Sequence, residues 1–355
     1  MRRTLYLHIG AHRTGTTSIQ HFLRANTAAL AGQGVLNPFG VARHHEMINR
    51  ICRGEVKVAA AAAELTSLAE AAVAATGRPV DTIVLSDEDI CSRTDITRLA
   101  RLGDHFAMRV IYVIRRQDLW LESWYRQNVK WQWNADLAHR PFDAFLARRR
   151  AFFWIDYDAT VTRLERLFGP AAVEVLLFEP SAMPDGPVAA FARAIGLGGL
   201  AGFAAGQHVN NSLSALTTEF MRQLPLDEMP ERTRRLFEQA CNKMDWHVRQ
   251  RFGPQSPLHM DAATRAAVMA GYAPGNAALA RRRFGRAALF AEPLPPADAP
   301  LAPDALPDDA ETLMEVFVAP LLRHLAPALV RLQAEAKAAR AGTEGDTASG
   351  KSDPG

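Results

Sequence analysis

The first apolar stretch of the chain, residues 4–9, alternates apolar with polar side chains and is rich in β-formers, while from residue 18 to residue 30 the apolar positions recur at helical spacing. A turn carrying Gly10 and Gly15 joins the two, so the pattern predicts strand, loop and helix in succession. Three more short apolar runs, at 81–85, 109–114 and 172–178, predict further strands, with helical segments between them. Runs with little alternation belong to strands covered on both faces, and intervening helices require those strands to be parallel. The expected fold is therefore α/β, a central parallel sheet flanked by helices, which takes up ligands at the carboxyl ends of its strands.

Beyond residue 178 the pattern is mainly helical, at about 187–195, 214–224, 231–243 and 261–270. Residues 291–309 are rich in Pro, Ala and Asp and read as a linker, 310–341 as a C-terminal helix, and 342–355 as a disordered tail. These readings leave residues 1–290 as the main domain. Hydrophobic residues make up 48% of the chain and charged residues 22%, values that exclude wholesale disorder. A net charge of +3 is too small for nonspecific nucleic-acid binding, although Arg148 to Arg150 and Arg281 to Arg283 form local basic clusters. Cys52, Cys91 and Cys241 lie far apart without metal-ligand spacing, so a reducing, cytoplasmic setting is expected. The apolar stretch after Arg2-Arg3 ends at His8, too soon for a signal peptide, and the Ala-rich region 56–75 is interrupted by Glu64 and Glu70, so no transmembrane segment is expected.

Candidate chemistry begins in the first loop, His8-Ile9-Gly10-Ala11-His12-Arg13-Thr14-Gly15-Thr16-Thr17-Ser18. A glycine loop between strand and helix turns backbone N–H groups and the helix's positive end toward one point, which suits an oxyanion. The spacing Gly10-x4-Gly15 in this context implies a P-loop, three-layer fold. A loop for nucleoside triphosphates carries Lys directly after the second glycine, followed by a Ser or Thr that holds magnesium. Here Thr16 occupies the Lys position, and the basic residue is Arg13, inside the loop.

Arg13 followed by Thr14-Gly15-Thr16-Thr17 resembles the 5′-phosphosulfate loop of sulfotransferases that use PAPS (3′-phosphoadenosine 5′-phosphosulfate), in particular bacterial members related to carbohydrate sulfotransferases. The resemblance implies that Gly10, Ala11, His12, Arg13, Thr14, Gly15, Thr16, Thr17 and Ser18 wrap the donor's phosphosulfate. The family usually has Lys where this chain has Arg13. A guanidinium offers a rigid fork of donors but does not release its proton, so Arg13 is expected to stabilise the leaving group by charge. Arg115, after the run 109–114, and Ser123, eight positions on, resemble the family's 3′-phosphate element. The blander reading has Arg115 and Arg116 pairing with Asp118 and Glu122 on a solvated face. Residues 276–286 resemble a late segment of bacterial members and either close over the 3′-phosphate or form a solvated face; residues 210–214 resemble another, with turn formation and helix capping as their physical role. Trp120, Trp124 and Trp131 recur at helical spacing and are expected in the core.

Transfer of a sulfuryl group to an alcohol needs a base facing Arg13. Glu88, in Ser86-Asp87-Glu88-Asp89, matches the position of a base in related carbohydrate sulfotransferases, and the same residues also read as a capping box led by Ser86. His44-His45 resembles a paired-His segment of bacterial members, which makes His45 the second candidate. The expected activity is transfer from PAPS to a hydroxyl or amine acceptor, with a glycan or glycolipid among the candidates, releasing PAP without a required metal. A P-loop kinase of a small hydroxyl metabolite and a non-catalytic PAP- or PAPS-binding protein are the alternatives.

Overall fold

A computed structural model describes residues 2–204 and 212–348 of the chain. Two compact units emerge, the first made of Met1–Trp124, Arg148–Asn210 and Ala262–Ala297, the second of Tyr125–Ala147, Asn211–Asp261 and Asp298–Gly355. The sequence reading takes residues 1–290 as the main domain, bounded by the composition shift at the linker. The crossing at Trp124 falls inside a continuous helix, Gln117–Trp131, and leaves no such mark.

The first unit holds a five-stranded parallel sheet of β1 (Thr4–His8), β2 (Val35–Leu36), β3 (Thr82–Ser86), β4 (Ala107–Ile114) and β5 (Val173–Leu177), in the order β2-β3-β1-β4-β5. Leu7 of β1 lies opposite Leu85 of β3 and Val110 of β4, so three buried leucine and valine positions align across the centre. Alternate strand residues go to opposite faces. On one face Val84, Ile111 and Val113 pack with Ile19, Phe22 and Leu23 of the helix Thr16–Ala25 and with Phe191 of the helix Gly186–Ala194. On the other, Tyr112 meets Tyr157 of the helix Tyr157–Phe168 edge to face and donates from its hydroxyl to the Trp154 carbonyl at 2.5 Å. Coverage on both faces explains why the strands read as unbroken apolar runs.

The structure extends several sequence readings. β2, only two residues long, presents no run that a periodicity could detect. The helix expected at 18–30 begins at Thr16 and breaks at Asn26, whose amide donates to the Phe22 carbonyl, before a short helix, Thr27–Ala31. The Ala-rich helix Val58–Thr76 buries Ala61, Ala62, Leu65 and Ala69 while Glu64 and Glu70 lie exposed. It and Ala310–Glu335 are long and apolar enough to cross a membrane by length and composition.

The second unit is helical. Glu231–Phe252 packs against the C-terminal helices, where Phe317 sits among Phe220 and Phe252 with ring centroids 5.2 and 6.4 Å away. Residues 291–309 form neither helix nor strand, in line with their Pro content. The last helix, Ala319–Ala348, continues past Gly342, where the tail was expected to begin, and through Gly345; each glycine costs a helix only about 1 kcal/mol. Residues 349–355 of that tail, and Asn210 and Asn211 of the segment 210–214, lie outside the described residues. Ser214 does cap: it precedes the helix Ala215–Arg222 and accepts from Thr217 N–H at 3.3 Å.

Candidate functional site

Because β1 lies between β3 and β4, the loops that leave the carboxyl ends of these three strands converge. The first is the glycine loop. It leaves β1 alongside β4, with Ile9 N–H donating to Ile111 O at 3.0 Å and Ala11 N–H to Val113 O at 2.6 Å. It then turns through three left-handed residues, Gly10 at φ 75°, Arg13 at φ 64° and Gly15 at φ 81°, before the helix starts at Thr16. Such alternation forms a concave nest of N–H groups. Among the described residues, the N–H groups of Gly15, Thr16 and Thr17 donate to no backbone carbonyl. Both glycines are needed for space as well as conformation: a Cβ on Gly10 would lie 2.8 Å from Glu88 Cβ, and one on Gly15 would lie 2.6 Å from Pro187 Cγ.

Arg13 is the exception among the three, since a side chain in left-handed backbone costs about 1–2 kcal/mol. The turn directs its guanidinium toward the helix Gln117–Trp131, where Nε donates to Ser123 Oγ at 2.8 Å. Ser123 is buried, and the Arg115 guanidinium lies 3.5 Å from the Arg13 carbonyl and 5.5 Å from the centre of the Phe178 ring. The loop, Arg115 and Ser123 are thus brought together.

The pairing of Arg115 and Arg116 with acidic neighbours divides between the two arginines. Arg116 is 4% exposed and chelates Asp118 through Nε at 2.7 Å and a terminal nitrogen at 3.0 Å. Arg265, equally buried, takes the other side of Asp118 at 2.6 Å and Glu122 at 2.7 Å. With those carboxylates engaged, no carboxylate pairs with Arg115 among the described residues. Burial pushes its pKa down, which favours taking up an anion there.

The second loop follows β3. The capping residue is Asp87 rather than Ser86: its carboxylate accepts from Asp89 N–H at 3.3 Å and opens the short 3₁₀ turn Glu88–Ile90, while Ser86 Oγ lies 2.8 Å from His8 Nδ1. Arg43 gathers the acidic run, with Nε 2.6 Å from Asp87 and 3.7 Å from Glu88 and a terminal nitrogen on Asp89. Gln20, from the helix after the glycine loop, donates to the Glu88 carboxylate. Glu88 is therefore held against Gly10 with its carboxylate fixed from two sides.

The histidines separate into distinct roles. His44 is buried; its Nδ1 accepts from Ser86 N–H at 3.0 Å and its Nε2 donates to the Pro38 carbonyl at 3.1 Å, and burial lowers its pKa to about 4. It is a neutral strut. His45 opens the helix His45–Arg53 and stands exposed, and the structure does not bring it into the cluster. His12 sits 2.9 Å from Asp89 and 3.8 Å from Cys91 Sγ. Burial disfavours its charged form, but the bonds to Asp89 and Cys91 outweigh that and raise its pKa to about 10. It is an imidazolium beside Trp124, with ring centroids 4.7 Å apart and planes inclined at 41°, and cannot act as a base near neutrality.

Other loop side chains serve the loop itself. Thr14 is fully buried and its hydroxyl donates to the Ala11 carbonyl at 2.5 Å, so it braces the turn and is withdrawn from any ligand. Trp120, expected only in the core, also donates from its indole to the His12 carbonyl at 2.7 Å. Trp120, Gln20, Arg43 and Asp89 are the site residues that sequence reasoning missed; an indole or amide at helical spacing carries no signal of a long-range bond. The basic stretch 276–286 turns elsewhere. Asn276 exchanges two amide bonds with Gln117 at 2.8 and 2.9 Å, while Arg282 pairs with Asp158 and Glu165, and Arg283 binds the carbonyls of Pro170 and Val173, at the start of β5. Arg282 and Arg283 do not close over the loop.

No family model matches the chain, and no solved structure matches it. The chain is 30% identical over 117 residues to an uncharacterized protein of Archaeoglobus fulgidus, a match covering 33% of this chain and 30% of that protein.

Proposed function

We propose that the chain is a PAPS-dependent sulfotransferase with a P-loop, three-layer nucleotide-binding unit, transferring a sulfuryl group to an acceptor hydroxyl and leaving PAP. The observation that carries this reading is the 2.8 Å bond between Arg13 and Ser123, residues 110 positions apart. It joins the loop's arginine to the serine of the second element, beside an Arg115 that forms no ion pair with a carboxylate among the described residues. A nucleoside-triphosphate loop calls for neither Arg13 nor the Arg115 and Ser123 pair, and it calls for a Lys where Thr16 stands.

The residues present suit a donor with an anionic group at each end. The N–H groups of Gly15, Thr16 and Thr17, with Arg13, would hold the phosphosulfate, and Arg115 with Ser123 the 3′-phosphate. The donor supplies an activated sulfuryl group. The chain's own contribution is charge and placement: Arg13 offsets negative charge on the leaving side, and Glu88, beside Gly10, accepts the acceptor's proton. Glu88 takes precedence as base because His12 is charged, His44 has both ring nitrogens engaged, and His45 stands outside the cluster. The widely spaced cysteines, all free thiols, support a reducing, cytoplasmic location.

The test is transfer of labelled sulfuryl from PAPS across a panel of sugars, glycolipids, simple alcohols and amines, with PAP release followed in parallel. Label transfer that disappears in Glu88→Gln, with PAP affinity retained, is expected. PAP release that is insensitive to both Arg13→Ala and Glu88→Gln would refute the reading.

A further inference from the structure

The second unit carries a cleft of about 390 Å³ lined by charged, amide and indole side chains. One wall is a single stripe of the helix Glu231–Phe252, where Glu231, Arg234, Arg235, Glu238, Gln239 and Asn242 recur at three- and four-residue intervals. The opposite wall is Lys130 with two tryptophans, Trp131 and Trp133. Trp133 is 60% exposed, and its ring centroid lies 4.2 Å from that of Trp131, with the planes inclined at 46°. Trp131 is half-buried, so the two indoles present one largely open face and one partly covered face to the cleft.

The backbone between the tryptophans is strained. Gln132 is buried at φ 46°, in the left-handed region, which costs a side-chain-bearing residue about 1–2 kcal/mol. It is held there by three bonds: Nε2 donates to Met221 O at 2.7 Å, and Oε1 accepts from Leu226 N–H at 2.9 Å and Asp227 N–H at 3.2 Å. This over-determined turn ends the preceding helix and sets Trp131 and Trp133 side by side. Strain held by so many bonds marks positions where geometry serves a ligand. A second sign is Arg234 Nε, which is shielded from solvent yet donates to no acceptor among the described residues. A donor in that state is stabilised by an acceptor brought by a ligand.

We propose that this cleft binds an acidic saccharide, a sugar ring carrying a carboxylate or sulfate. Two inclined indoles do not form the parallel slot that sandwiches a flat base; they present angled apolar faces to the C–H surface of a pyranose. The polar lining suits the rest of such a ligand. Arg234 and Lys130, beside an Arg235 already paired with Glu231, attract the acidic group, while Glu238, Gln239 and Asn242 provide acceptors and donors for hydroxyls. Burial raises the Glu238 carboxyl pKa against the pull of Arg234, Lys130 and Arg235. Nothing in this inference depends on the donor reading, since every residue belongs to the second unit.

The experiment titrates the full chain with trigalacturonate, a sulfated galactose trisaccharide, neutral galactotriose and AMP, following tryptophan fluorescence and calorimetric heat. Saturable binding of at least one acidic trisaccharide is expected, at least fivefold tighter than galactotriose and weakened by salt. Trp133→Ala and Arg234→Gln should each weaken it at least tenfold, and Trp133→Phe should retain most of it. Trp133 is largely exposed, so unchanged thermal unfolding of Trp133→Ala checks that the unit stays folded. Absence of saturable binding by both acidic trisaccharides, binding that survives Trp133→Ala, or tighter binding of AMP overturns the proposal.

Discussion

Gly15→Ala tests whether the glycine loop has the shape described. Gly15 adopts φ 81°, and a Cβ there would lie 2.6 Å from Pro187 Cγ, 2.7 Å from Pro187 Cβ and 3.2 Å from Phe178 Cε2. The left-handed conformation alone costs alanine about 1–2 kcal/mol. Forcing a methyl into occupied space adds about 1–3 kcal/mol, because Pro187 is a rigid ring at the start of the helix Gly186–Ala194 and cannot swing away. The sum, about 2–5 kcal/mol, lowers Tm by roughly 5–15 °C in a body of this size. Gly77→Ala is the control: Gly77 also has positive φ, at 68°, but nothing lies within 4 Å of its missing Cβ, so only the conformational cost of about 1–2 kcal/mol applies. Removing both offending Pro187 atoms in Gly15→Ala/Pro187→Gly should recover about 1–2 kcal/mol beyond additivity. Calorimetric unfolding of Gly15→Ala, Gly77→Ala, Pro187→Gly and the double variant against wild type measures every quantity. If Gly15→Ala costs no more than Gly77→Ala, and the double variant shows no coupling, the described packing of the loop against Pro187 is wrong.

Arg115→Ala should weaken PAP binding about 10- to 100-fold through loss of a charge-assisted contact, whereas Arg13→Ala should depress turnover about 100-fold and change PAP affinity only a few-fold; titration calorimetry and initial rates separate the two. His12 has a folded pKa of about 10, above its ordinary 6.5, so its contribution to stability is complete below pH 6.5 and is lost as pH rises through 10. Asp89 is depressed below its ordinary 3.8, opposed by burial but held down by His12 and Arg43, so its contribution is present above about pH 4 and is lost at lower pH. Urea midpoints between pH 7 and pH 10 should fall in wild type and stay nearly flat in Asp89→Asn. Arg265→Met removes one partner from a buried network and leaves the Asp118 and Glu122 charges undercompensated; denaturant unfolding should show a loss of about 3–5 kcal/mol.

The sheet was legible because its strands are buried on both faces and read as short apolar runs, and the glycine loop because Gly10 and Gly15 sit between such a run and a helix. Arg115 and Ser123 were legible only as a spacing; which of two adjacent arginines pairs with Asp118 depends on Arg265, which arrives from a helix nearly 150 residues later. The roles of the histidines were not legible. His44 and His45 are adjacent and chemically identical, yet one is locked between Ser86 and Pro38 and the other faces solvent. His12 looks like a neutral loop residue until Asp89 and Cys91, brought up by β3, make it a cation. Gln20 and Arg43, which hold Glu88, have no local pattern because their partners lie on another strand's loop.

The most direct measurement of the central claim is calorimetric titration of the chain with PAP in the presence of EDTA, set beside ATP with and without magnesium. The account predicts that PAP binds without metal, that a hundredfold excess over Kd stabilises the fold by about 2.7 kcal/mol, and that Arg115→Ala and Ser123→Ala weaken the binding while ATP has little effect. Binding of ATP that requires magnesium, with no binding of PAP, would contradict it.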